Sequence, residues 1–208
     1  SAVTSTLCAK TGYKTLAISM PIKQNSNQHD LSLKHLDWLK KNFENVETQI
    51  IQLDNLFQSF EHTMKDFNSS LAFANSRSRL RMVTLYQIAQ ANRGIVVGTG
   101  NKVEDFGVGF YTKYGDGGVD ISPIADCNKT EVWELGKELG ILKEIIDAPP
   151  TDGLWDDGRT DEGQLGFKYS ELEDAMSNPN SPHREQYEKI RNQNLHKMEP
   201  IPVCKIPS

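Results

Sequence analysis

The stretch from Gly94 to Lys129, GIVVGTGNKVEDFGVGFYTKYGDGGVDISPIADCNK, constrains the fold more than any other part of the chain. Its apolar run Ile95-Val96-Val97 stops at Gly98-Thr99-Gly100, and a loop dense in Gly, Lys, Asp and Glu follows. A strand buried in a parallel sheet reads as a short, continuous apolar run. In open α/β sheets, ligands bind just beyond the carboxyl ends of such strands. The segment therefore predicts a parallel strand that opens into a ligand site. Strand and helix patterns alternate around it, as in an α/β domain whose open, mostly parallel sheet is flanked by helices.

Thr15 to Met20 reads as a strand ending at Pro21. The stripe Leu31, Leu33, Leu36 and Leu39 predicts a helix, with Asp30 as its N-cap. Val46 to Leu53 alternates apolar and polar residues and reads as the next strand. Helices are expected over 56–67 and 71–92. Another follows Asn128 and ends at Gly140, a C′ glycine. Ala2 to Ala9 reads as a helix with no strand before it, so the chain reads as starting inside a βα unit. Residues 151–164 hold four Asp, one Glu and three Gly, with Trp155 as the one large apolar anchor; they read as a mobile loop. The last helical part runs to about His196, and Pro200 to Pro207 is too proline-rich for a regular element.

The 208 residues suit one domain, 1–208. A net charge of -5 argues against a general nucleic-acid binder. No apolar run approaches the ~20 residues that span a bilayer, and the start lacks the pattern of a signal peptide. Cys8, Cys127 and Cys204 are odd in number and widely spaced, so they read as reduced thiols of a cytoplasmic protein. Gly98 to Val103 is not a Gly-x-Gly-x-x-Gly fingerprint, because Val103 fills the last glycine position; a hydride-transfer Rossmann reading is rejected on that ground.

Several segments, in order, resemble the NAD synthetases, within the larger group of PP-loop ATP pyrophosphatases. They are Arg77 to Met82; Gly98-Thr99 with Glu104 five positions past the threonine; Phe110 to Gly118 (FYTKYGDGG); Lys129-Thr130; Pro150-Thr151 with Leu154-Trp155; Asp161-Glu162 with Leu165-Gly166; and His196-Lys197. The run Lys113 to Gly118 is the specific part. The resemblance implies a Rossmann-like sheet of the adenine nucleotide alpha-hydrolase kind. Two departures stand out. Of the family's Ser-Gly-Gly-x-Asp-Ser phosphate loop only Ser1 remains, as its final serine. The first strand, most of that loop and its magnesium-holding Asp are missing from this chain. Gly100 stands where many relatives have Asp.

The implied reaction is amidation of a carboxylate. ATP adenylates deamido-NAD with loss of pyrophosphate, and ammonia then displaces AMP to give NAD. The resemblance implies Mg2+ as cofactor with Glu104 as its ligand. It implies ATP contacts at Ser1, Thr99, Lys129 and Thr151, and deamido-NAD contacts at Arg79, Lys113, Asp120, His196 and Lys197. It also implies a homodimer, with deamido-NAD near the subunit boundary. The runner-up is the synthetase domain of a glutamine-dependent enzyme. A reading of another class is a nucleotide-binding fragment without catalysis.

Without the resemblance the same residues read more plainly. Glu104 is a solvated loop acid, Thr99 and Thr151 are turn hydroxyls, and His196-Lys197 is a solvated pair. Gly115 to Gly118 is a tight turn. Lys129 opens a helix, against the dipole. Arg77, Arg79 and Arg81, at i,i+2 spacing, cannot all share one helical face. Asp157, Asp161 and Glu162 are assigned no catalytic role.

Overall fold

The computed structural model describes residues 1–24 and 26–206. The start of the chain is helical, as its pattern predicts: α1 spans Ala2–Lys10 and leads into β1, Thr15–Ser19. Helix α2, Ser26–Asn42, crosses to β2, Val46–Ile50. β1 and β2 pair in parallel, with Thr15 opposite Val46 and Ser19 opposite Ile50. This crossover needs an intervening helix because parallel neighbours cannot be joined by a tight turn. Helix α2 buries His35, Leu36 and Leu39. It starts four residues before Asp30, so that residue lies inside the helix and does not cap it. β2 ends at Ile50, but the contact continues: Ile51 N–H donates to the Ser19 carbonyl at 2.9 Å and Leu53 N–H to that of Pro21 at 3.2 Å.

Helix α3, Asp54–Thr63, and a 3₁₀ turn, Lys65–Phe67, lead to the long α4, Ser70–Ala91. The predicted strand at Ile95–Val97 shrinks to one parallel bridge, Val97 to Ile121. The Val96 N–H donates to the Asp120 carboxylate at 2.7 Å, so a side chain takes the place of a ladder carbonyl. A π-helical segment follows at Val103–Val108. Such segments are rare and concentrate at functional sites.

The remainder is helical: α5 (Lys129–Glu138), α6 (Lys143–Ile146), α7 (Asp161–Leu165), α8 (Tyr169–Ser177) and α9 (Arg184–Met198). Asn128 N–H donates to Glu131 Oε2 at 2.7 Å at the start of α5. At its end Gly140, φ +71°, donates to Lys137 O and Ile141 to Gly136 O, a Schellman closure. The loop 151–164 carries the first turn of α7. The tail to Ile206 has no regular structure; Pro207 lies outside the described residues.

The apolar interior beneath the site is Val103, Val108, Phe167, Tyr169, Leu172, Ala175 and Tyr187. It welds the π-helical segment to α8 and α9. Among the described residues no helix is long and apolar enough to cross a membrane.

Candidate active site

Beyond the Val97 bridge, Gly98 lies against Val119 and Ser122, where a Cβ would come within 2.7 Å of the valine side chain. Thr99 is exposed at this mouth. The buried Asn101 then organises the turn: its Oδ1 accepts from the N–H groups of Val103 at 3.0 Å and Glu104 at 3.1 Å. This fixes where the Glu104 side chain leaves the backbone.

Glu104 meets Lys129, the first residue of α5, at 2.9 Å, and both side chains are 16% exposed. The Tyr169 hydroxyl donates to the same Glu104 oxygen at 2.7 Å, and Lys129 Nζ lies 4.7 Å from the centre of the Tyr169 ring. Burial pushes the Glu104 carboxyl up, but the Lys129 charge and the hydrogen bonds from Tyr169, Lys129 and Asn101 outweigh it and hold the group below its ordinary range. Ser1 caps α1, its carbonyl accepting from Ser5 N–H at 2.9 Å. Two of the residues named from sequence, Glu104 and Lys129, thus converge.

Two neighbouring acids behave differently. Asp161, the first residue of α7, accepts from the Tyr169 hydroxyl at 3.0 Å, while its Oδ1 is buried without a partner. Burial pushes its carboxyl up to about 6, against the pull of Lys129 and with help from the Glu104 charge. Asp105 covers Gly100 so closely that a Cβ there would collide with its carboxylate. Burial, then the charges of Glu104 and Asp116, push Asp105 up to about 7. The space a side chain at position 100 would need is therefore filled from position 105.

Thr151 is tied up by its neighbours: its hydroxyl donates to Arg159 O at 3.0 Å and accepts from Gly153 N–H at 3.2 Å and from Gln28 Nε2 at 3.5 Å. Arg77 is buried over the Phe57 ring and pins the same loop, donating to Leu154 O at 3.0 Å and pairing with Asp156 at 2.8 Å. Arg79 donates instead to Lys113 O at 3.2 Å, and Arg81 to Met20 O at 3.0 Å. The three arginines therefore point to three different places.

Lys113 donates to the His196 carbonyl, and Lys197 to the carbonyls of Gly109 at 2.8 Å and Tyr111 at 2.9 Å. Arg79, Lys113, His196 and Lys197 thus form one linked group between α4 and the end of α9. Asp120 stands apart from it, accepting from Val96 N–H and from the Tyr86 hydroxyl at 3.1 Å. Asp116, not singled out in the sequence, ties the glycine turn to α4 by accepting from Ser78 Oγ at 2.6 Å and from Thr112 N–H at 3.0 Å. Sequence reasoning gave Asp161 no catalytic role and did not name Tyr169, because an aromatic between Lys168 and Ser170 and an acid in an acidic loop carry no signal that they meet.

A buried carboxylate–ammonium pair beyond a strand end, with a helix start behind it, suits the phosphates of a nucleotide. The cationic group near α9 suits a second anionic ligand. The protein family described as NAD synthase matches residues 1–206. The chain is 39% identical over 181 residues to an NH(3)-dependent NAD(+) synthetase of Carboxydothermus hydrogenoformans, covering 83% of this chain and 70% of that protein. It is 36% identical over 199 residues to one of Finegoldia magna, covering 95% and 80%. Among solved structures, an NMN synthetase from Francisella tularensis superposes with a TM-score of 0.90 at 33% identity, over 99% of this chain and 85% of that one.

Proposed function

Because the chain belongs to the NAD synthase family, we propose that it amidates deamido-NAD with ammonia at the expense of ATP. The carboxylate attacks the α-phosphorus of ATP and pyrophosphate leaves. Ammonia then attacks the resulting acyl-adenylate, AMP leaves and NAD is formed. The observation that carries this reading is the Glu104–Lys129 pair beyond Gly98-Thr99. When phosphates arrive, Lys129 exchanges a carboxylate for phosphate oxygens, and Glu104 is freed to bind a cation. Ser1, Thr99 and Thr151 are proposed to line the same nucleotide. Arg79, Lys113, His196, Lys197 and Asp120 are proposed for the deamidated nucleotide.

The donor set fits magnesium. Among the described residues no three His, Cys, Asp or Glu side chains gather as a ready cage, but magnesium is commonly held by one or two carboxylates together with phosphates and water. Glu104 offers one such carboxylate. Bound there, magnesium would neutralise charge on the phosphates.

We further read residues 1–208 as one synthetase domain with 151–164 as its mobile segment. The protein is proposed to work in the cytoplasm, its three cysteines free, as a homodimer joined through the side of α4 that exposes Val83 and Tyr86. The high superposition on an NMN synthetase favours a second reading of the substrate, in which the acid amidated is the mononucleotide. Chromatography of the full-length protein's products tests all of this. AMP and pyrophosphate are expected, with ammonium at least as effective as glutamine. ADP and phosphate without AMP would refute the mechanism, and no turnover of either acid would favour a non-catalytic nucleotide binder. The ratio of kcat/KM for the dinucleotide and mononucleotide acids decides between the two substrates.

A further inference from the structure

Tyr169 is 1% exposed, and one hydroxyl hydrogen faces two carboxylates, Glu104 at 2.7 Å and Asp161 at 3.0 Å. A phenol can donate that hydrogen to only one acceptor at a time. A tyrosine that merely filled the core would need one acceptor. Here it draws two acids into a buried place, one of them with an oxygen left unpaired. Burying an unsatisfied acceptor is unfavourable, so the arrangement is poor as packing alone. The two acids belong to different parts of the molecule. Glu104 sits in the π-helical segment. Asp161 opens α7, and its N–H holds the base of the loop through Pro150 O at 3.0 Å. The face of the same ring supports Lys129, and an edge-on Trp133 fixes the ring, its centroid 6.0 Å away.

We propose that Tyr169 is a positioning residue that couples the loop at 151–165 to the Glu104–Lys129 pair, with Asp161 as the loop's half of the contact. A cation on Glu104 reduces its demand for the tyrosine hydrogen, which then goes to Asp161 and holds the loop down. When Glu104 lacks a cation, it competes for that hydrogen and the loop's tie is weaker. Occupancy at Glu104 and order in the loop are thereby linked, and linkage of this kind is reciprocal. The inference rests on the proposed reading of Glu104 and Lys129 as part of the nucleotide site.

Trypsin reports the loop directly, because Arg159 lies on it with a side chain 42% exposed. Cleavage after Arg159 follows the population of the open loop when opening is fast. In the full-length protein with magnesium and a non-hydrolysable ATP analogue bound, Tyr169→Phe and Asp161→Ala should each raise that cleavage rate about tenfold, the loss of one hydrogen bond to a charged group. The double variant should be no faster than either single one. Magnesium with a non-hydrolysable ATP analogue should slow cleavage of the parent but not of Tyr169→Phe. In the amidation assay, Tyr169→Phe should raise the magnesium half-saturation several-fold. An unchanged cleavage rate in a Tyr169→Phe protein that melts like the parent would overturn the coupling, as would additive effects in the double variant. A parent enzyme that forms no AMP would instead sink the amidation reading and leave the proteolysis result standing.

Discussion

Asp161 carries a burden that a neutral side chain would not. It is 5% exposed, and its carboxyl is pushed up to about 6 by burial. A carboxyl whose folded pKa lies above its unfolded value of ~3.9 costs stability once it ionises. The cost is absent below pH 4, grows between 4 and 6, and is constant above 6. Asp161→Asn should therefore stabilise the fold by up to about 3 kcal/mol above pH 6 and by almost nothing at pH 4. Thermal melts across that range check it, and equal gains at both ends would refute it. A second contrast concerns Lys113 and Asp120. Lys113→Ala should raise KM for the nucleotide acid roughly ten- to hundredfold with little loss of stability. Asp120→Ala removes the acceptor of the Val96 N–H and of Tyr86, so it should also lower the melting free energy by about 1–3 kcal/mol. Kinetics paired with urea denaturation separates the two. At this scale the sequence marks Glu104 and Lys129 one by one, but nothing in it states that they touch, 25 positions apart. The partnership of Tyr169 with both acids is a product of packing, and no local pattern encodes it.

Helix α9 grips the loop that carries the site. Arg191 donates to Phe106 O and to Gly107 O, Asn194 to Val108 O at 3.0 Å, and Lys197 to Gly109 O and Tyr111 O. The spacing i, i+3, i+6 puts these donors along one side of the helix. They satisfy a row of carbonyls that the π-helical segment leaves free. Gly109 makes the approach possible: φ is +66°, and an added Cβ would come within 2.6 Å of Asn194 Cβ. Gly140 has a similar φ of +71° but open space around it. Gly140→Ala should therefore cost about 1–2 kcal/mol from backbone strain alone. Gly109→Ala should cost about 2–5 kcal/mol, because α9 must also shift. Equal urea midpoints for the two variants would mean that α9 does not pack as described. Helices were the legible elements, since caps and periodicity locate α1, α4 and α5 to within a residue or two. The strand before the site was less legible: its apolar run is real, but Asp120 intercepts the hydrogen bond that would have extended the ladder. The same run of donors on α9 reads in sequence as an ordinary polar helix.

Seen as a whole, the chain is acidic, yet α4 carries three arginines and no acid. Its inward side holds Ala74, Arg77, Ser78 and Met82. Its outward side leaves Val83 67% exposed and Tyr86 37% exposed. The Tyr86 hydroxyl reaches Asp120, so this face adjoins the bridge, where Ile95 and Ile121 are 60% and 49% exposed. Exposed apolar side chains grouped in this way favour association by burial. A second copy of the chain is the simplest occupant, because two-fold dimers present the same patch to each other. Placing a charge on it tests this. Val83→Glu should move the full-length protein from dimer to monomer in sedimentation at micromolar concentration, and its melting temperature should become independent of concentration while the parent's rises with it. Since Arg79 lies one turn along the same helix and donates to Lys113 O, the monomer should also bind the nucleotide acid more weakly than it binds ATP. A parent protein that sediments as a monomer with full activity would show that this face serves some other contact.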